Sequence, residues 1–305
     1  MDVIEVVGLR KEYRRLGGRR TVALDGLDLA VPEGGVFGFL GPNGAGKTTT
    51  IRCLLGLARA GAGRCVVLGA GVPGRLADVI GRIGSIVETP QHFPNFSGRT
   101  NLELLGKTVG IGRARVREVL EQAGLAERAD DPARTYSFGM KQRLGIAAAL
   151  MKDPELLLLD EPANGLDPAG IVEVRELVRR LGAEGRTVFV SSHLLSEVQQ
   201  VADRVAILSR GRAVAAGPVA EVLASGRAAG LVVGLDDPRA GLRALTEAGF
   251  AARERDGGLL VEAGPERASD VTRVLAERGL YLSEIRAEEA DLETVFLELT
   301  EGDAG

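Results

Sequence analysis

The segment Gly41-Pro42-Asn43-Gly44-Ala45-Gly46-Lys47-Thr48 has the spacing GxxxxGK[ST] and follows a short apolar run, Val36-Phe37-Gly38-Phe39-Leu40. Successive backbone N–H groups in such a loop curl around phosphate oxygens, and a helix opening behind it adds a favourable dipole. The glycines permit the backbone angles and the close approach. Lys47 is suited to reach β- and γ-phosphates, the Thr48 hydroxyl to ligate Mg²⁺, and Thr49 joins the same binding set. A metal on phosphate also needs a carboxylate, and hydrolysis needs a group to orient water. Leu156-Leu157-Leu158-Leu159 followed by Asp160-Glu161 offers both at the end of an apolar strand, where α/β sheets place their ligands. Asp160 is read as the metal residue, directly or through water, and Glu161 as the general base.

These residues need a sheet to hold them. Like residues 156–159, Thr187-Val188-Phe189-Val190 is nearly continuous in apolar side chains, as strands buried on both faces of a parallel sheet are. A periodic helix over about 168–181 lies between them, so strand, helix and strand form a parallel α/β unit. A further helix is predicted from Lys47 to about residue 57. Between about 90 and 150 the strand signals stop, and 102–109, 113–123 and 140–151 read as helices of an insertion. Ser225-Gly226-Arg227-Ala228-Ala229-Gly230 reads as a linker closing a first domain of residues 1–224. Beyond it, strand, helix, strand, strand, helix, strand predict a small ferredoxin-like α+β domain over 225–305.

Bulk properties narrow the field. A net charge of −4 and a sequence pI near 5.5 weigh against nucleic-acid binding, which favours a basic excess. Cys53 and Cys65 have no metal-binding spacing and suggest no disulfide framework, which fits a reducing cytosol. The start, Met1-Asp2-Val3-Ile4-Glu5, lacks a basic and apolar leader. No run approaches the roughly 18 apolar residues of a membrane-spanning helix, so any membrane role is expected to run through a partner.

The remaining motifs resemble the ABC ATPase family, a branch of the P-loop NTPases, over nearly all of residues 1–220. Tyr136-Ser137-Phe138-Gly139-Met140 is similar to a divergent signature motif that keeps the serine and second glycine. In the family that motif binds the γ-phosphate of ATP held by the opposite subunit, which implies roles for Ser137 and Gly139. Asn164-Gly165-Leu166-Asp167 resembles the D-loop at the dimer interface, and His193 matches the switch histidine at the γ-phosphate. Tyr13 stands where the family stacks an aromatic ring on adenine. Glu88 falls where a glutamine normally ligates Mg²⁺, with Gln91 the less favoured substitute.

The resemblance implies ATP and Mg²⁺ as cofactors. A site built from Lys47 and Glu161 of one chain and Ser137 of another cannot work in a monomer, so a homodimer follows. The segments around Glu88, Tyr136, Asn164 and Ser191 resemble a bacterial subgroup of bacitracin- and lantibiotic-resistance exporters. Such subunits pair with a separate ABC-2 type permease at the cytoplasmic face of the membrane. The rival function is a non-transport ABC ATPase linked to translation or DNA. The DNA-linked kind inserts a long coiled coil, and the translation-linked kind usually carries two cassettes and basic segments; this chain has neither pattern.

Overall fold

The structure, a computed structural model, describes residues 1–14, 20–225, 230–287 and 291–301. It divides into two compact units, Met1–Val219 and Ala220–Gly305. In the first, β1 (Asp2–Arg14) and β2 (Arg20–Pro32) pair antiparallel, and β3 (Gly35–Leu40) leads through the glycine-rich loop into α1 (Lys47–Leu54). β4 (Ala62–Val67) and β5 (Ala70–Val72) complete an antiparallel sheet of order β2-β1-β4-β5. β6 (Ile83–Ile86) precedes the helical insertion, α2 (Gly98–Val109), α3 (Arg113–Gln122) and α4 (Phe138–Leu150). Then come β7 (Leu156–Asp160), α5 (Pro168–Ala183), β8 (Thr187–Ser192), α6 (Leu195–Gln199), β9 (Arg204–Ser209) and β10 (Arg212–Pro218). The central sheet runs β10-β9-β3-β8-β7-β6, parallel except for β10 against β9.

The leucine run of β7 explains how this sheet is held. Its side chains alternate between two faces, and all four leucines are fully buried. Leu156 and Leu158 join Phe37, Phe39, Phe189 and the α1 residues Ile51 and Leu54 beneath the antiparallel sheet. Leu157 and Leu159 join Val188, Val190 and the inner faces of α4 and α5. Phe189 stacks on Phe37 with ring centroids 5.8 Å apart. Both cysteines are free and buried, and burial pushes the Cys65 thiol up to about 11.

The second unit carries α7 (Val219–Ser225), β11 (Leu231–Leu235), α8 (Pro238–Glu247), β12 (Ala252–Arg255), β13 (Gly258–Val261), α9 (Ala268–Ala276), β14 (Leu282–Ala287) and α10 (Leu292–Glu301). Its antiparallel sheet has the order β12-β13-β11-β14. Leu231, Val233 and Leu235 alternate inward against Ala244, Leu245, Val271 and Leu275 of α8 and α9. Among the described residues no helix is long and apolar enough to cross a membrane.

Several boundaries differ from the sequence reading for local reasons. α2 starts four residues before residue 102, because the Ser97 side chain caps it by accepting from the Thr100 N–H at 3.1 Å. α4 starts at Phe138 because Ser137 caps it in the same way. α1 stops at Leu54, and Gly56 follows in a left-handed conformation with φ 67°. The division between units falls after Val219, the residue that follows β10 and opens α7, five residues before the boundary read after residue 224. Most of the linker read over 225–230 lies on residues 226–229, outside the described residues. Truncating Leu158→Ala removes packing on the α1 side of the sheet and is expected to cost about 2–5 kcal/mol. A lowered denaturant midpoint with an unchanged m-value would show it; an unchanged midpoint would refute this account of the core.

Candidate functional site

The glycine-rich loop is shaped by contacts that leave no room for side chains. A Cβ on Gly41 would stand 2.5 Å from the Leu208 carbonyl oxygen. Gly46, at φ 113°, precedes α1, and a Cβ there would meet the Ala23 carbonyl oxygen of β2 at 2.6 Å. The Gly41 N–H donates to the Ser192 carbonyl at 3.3 Å, and the Gly211 N–H donates to the Ala45 carbonyl at 2.9 Å. The loop is thus pinned from β8 and from the β9–β10 turn, while Pro42, Asn43 and Gly44 stay exposed. No side chain caps α1, so its first turn presents backbone N–H groups and the positive end of its dipole.

Lys47, the first residue of α1, is buried, with its side chain 5% exposed. Its Nζ donates to the Gly41 carbonyl at 2.6 Å and ion-pairs with Glu161 Oε1 at 3.0 Å. Glu161 sits just past β7 at φ 50°, in the left-handed region that non-glycine residues seldom adopt. Its N–H donates to Ser191 Oγ at 3.0 Å, and Ser191 Oγ–H donates to Asp160 Oδ1 at 2.5 Å. The other carboxylate oxygen of Glu161 lies 2.7 Å from His193 Nδ1. Lys47, Asp160, Glu161 and His193 are therefore one connected cluster, joined through Ser191. Sequence reasoning used Ser191 only as a flank of His193. The available signal was its place: Asp160 pairs with Ser191 across the parallel β7–β8 ladder.

The metal residues fit a phosphate-bound magnesium. Thr48 is half-buried beside Lys47, and Asp160 is buried with one oxygen engaged by Ser191. Among the described residues no three His, Cys, Asp or Glu side chains cluster as a metal cage. Magnesium typically draws its remaining ligands from phosphates and water. Glu88 is placed differently from a plain metal ligand. At φ 68° it leaves β6 with its side chain 67% exposed and ion-paired to Arg52 of α1. Gln91 is exposed, and its amide donates to the Thr89 carbonyl at 3.3 Å.

The other sequence-derived residues lie apart from this cluster. Tyr13 is on β1 opposite Thr21, with Lys11 Nζ 4.9 Å from its ring centroid. Ser137 is exposed at the start of α4, accepting from the Met140 N–H at 3.1 Å. Asp167 caps α5, accepting from the Gly170 N–H at 3.1 Å. A Cβ on Gly139 would lie only 3.4 Å from the Gly170 Cα, so these two helix starts touch backbone to backbone. No hydrogen bond or ion pair among the described residues joins Ser137, Gly139 or Asp167 to the Lys47 cluster. Tyr136 serves the core instead: its hydroxyl donates to the Arg128 carbonyl at 2.6 Å.

The comparisons with known proteins agree with this geometry. The family described as ABC transporter matches residues 24–164. The bacitracin transport ATP-binding protein BcrA of Enterococcus faecalis is 36% identical over 98% of this chain and 97% of its own length. The daunorubicin resistance ATP-binding protein DrrA3 of Streptomyces coeruleorubidus is 39% identical over 98% of this chain and 96% of its own. Among solved structures, the dimeric bacterial ABC transporter cassette MJ0796 superposes with a TM-score of 0.64 at 25% identity. That match covers 71% of this chain and 98% of the cassette. Relatives this similar along almost their whole length, together with the lysine–glutamate cluster at the glycine-rich loop, show that the chain belongs to the ABC transporter ATP-binding protein family.

Proposed function

We propose that this chain binds and hydrolyses ATP as the motor subunit of an exporter, driving a drug or antibiotic peptide through a separate membrane permease. The observation that carries the reading is the Lys47–Glu161–His193 cluster at the phosphate loop. The printed names of the relatives, bacitracin transport and daunorubicin resistance, support the substrate class.

Phosphates entering the loop compete with Glu161 for Lys47. The lysine's charge then moves from carboxylate to phosphate, and Glu161 is released to face water. His193 holds Glu161 Oε2 and so orients the carboxylate. Water attacks the γ-phosphorus, its proton passes to Glu161, the bond to the β-phosphate oxygen breaks, and ADP and phosphate result. Magnesium, held by Thr48 and Asp160 with Glu88 at its edge, would neutralise phosphate charge when bound. Tyr13 would stack on adenine. Thr49 and the loop amides complete the phosphate cradle.

Ser137 and Gly139, which make no hydrogen bond or ion pair to this cluster among the described residues, are assigned to the ATP held by a second copy of the chain, with Asp167 at the same interface. ATP then lies between two subunits of a homodimer and favours their association. An ABC-2 type permease would present a cytoplasmic helix to a cavity of about 820 Å³ between residues 87–93 and the helices α2 and α4. Ile80, Phe93, Leu105 and Val109 line it and are exposed. Docking there would hold the subunit at the cytoplasmic face of the membrane. The second unit is assigned as an accessory ferredoxin-like domain.

Glu161→Gln is expected to lower ATP turnover by about 10²–10⁴-fold while nucleotide binding persists. Hydrolysis at the wild-type rate would refute the general-base assignment. Paired Phe93→Asp and Leu105→Asp changes should abolish co-purification of the full chain with a membrane permease from its own cells, leaving ATP binding intact. Undiminished co-purification would move the docking site elsewhere.

A further inference from the structure

Arg52 stands four residues after Thr48 on α1, so the two share one face of that helix, the face that continues from the phosphate loop. Its guanidinium reaches across to Glu88, which no other cation contacts among the described residues. Glu88 is not a stray surface acid. Ile86 pairs with Leu159 in the β6–β7 ladder, so Glu88 and Glu161 each lie two residues past the same rung of the sheet. The left-handed backbone at Glu88, φ 68°, is uncommon for a residue with a side chain. An arginine cannot shed its charge to leave such a partner. The Glu88 carboxylate is thereby already paired with a cation built into the phosphate-loop helix.

We propose that Arg52 competes with magnesium for the Glu88 carboxylate, so that metal settles against Glu88 only when the Arg52–Glu88 pair opens. This rests on the reading that Glu88 faces the metal. The pair is partly solvated, with side chains 37% and 67% exposed, so its opening is a small and reversible cost. Release also frees residues 89–93, which follow Glu88 directly and line the cavity beside α2. Arg52 is in this view a positioning residue: it acts through Glu88 and sets how readily the metal is taken up.

The test is binding of Mn²⁺, a spectroscopic stand-in for magnesium, to the full chain with saturating ADP, read from the free-ion signal in electron paramagnetic resonance. Arg52→Gln should tighten Mn²⁺ binding about two- to five-fold, the span set by a partly exposed ion pair. Arg52→Lys should stay near wild type. Glu88→Ala, which removes the oxygen that a glutamine would keep, should weaken binding, and adding Arg52→Gln to it should change nothing further, which separates competition at Glu88 from a general loss of positive charge. Unchanged or weaker Mn²⁺ binding in Arg52→Gln, with Glu88→Ala still weakened, would overturn the competition while leaving Glu88 at the metal. An unchanged affinity in Glu88→Ala would remove Glu88 from the metal and the competition with it.

Discussion

β7 and β8 run parallel and in register, Leu156 beside Thr187 and Asp160 beside Ser191, and the chemistry of the molecule hangs on that alignment. Because the ladder is buried on both faces, a slip of register would draw the charged Glu155 or Asp160 in among the leucines. The last rung delivers Asp160 and Ser191 to the same level. One residue later the chain turns through the left-handed conformation of Glu161, which swings that carboxylate towards Lys47. Placement of the reacting groups is thus a consequence of how a hydrophobic sheet ends.

The charges at that edge are arranged as a closed circuit. Lys47 is nearly buried and Glu161 is four-fifths covered, so neither would be left alone without a large desolvation penalty. A phosphate group can take the place of Glu161 beside Lys47, which is the exchange proposed above for ATP. Ser191, donating to Asp160 while accepting from the Glu161 backbone N–H, ties the Asp160 carboxylate to the backbone that carries Glu161.

What could be read from residues alone was the part in which local pattern and chemistry coincide. The loop from Gly41 to Thr48, the leucine strand before Asp160 and the helix opening at Pro168 are each encoded within a short window. The antiparallel sheet of β2-β1-β4-β5 escaped because its strands alternate weakly and its pairing joins residues 4 and 67, far apart in sequence. Ser191 escaped for a related reason: its partner is 31 residues away, and nothing near it in sequence signals that bond. The Arg52–Glu88 pair likewise spans 36 residues. Ser137 and Asp167 were marked as ligand residues, and the structure shows each as a helix cap, a role that the sequence reading did not assign.

The contact between Gly139 and Gly170 bears on where two caps lie. The start of α4 and the start of α5 meet there with the Leu166 side chain beside both glycines. Ser137 and Asp167, which cap those two helices, are thereby brought to neighbouring positions although 30 residues separate them in sequence. Their spacing is a property of packing within one chain.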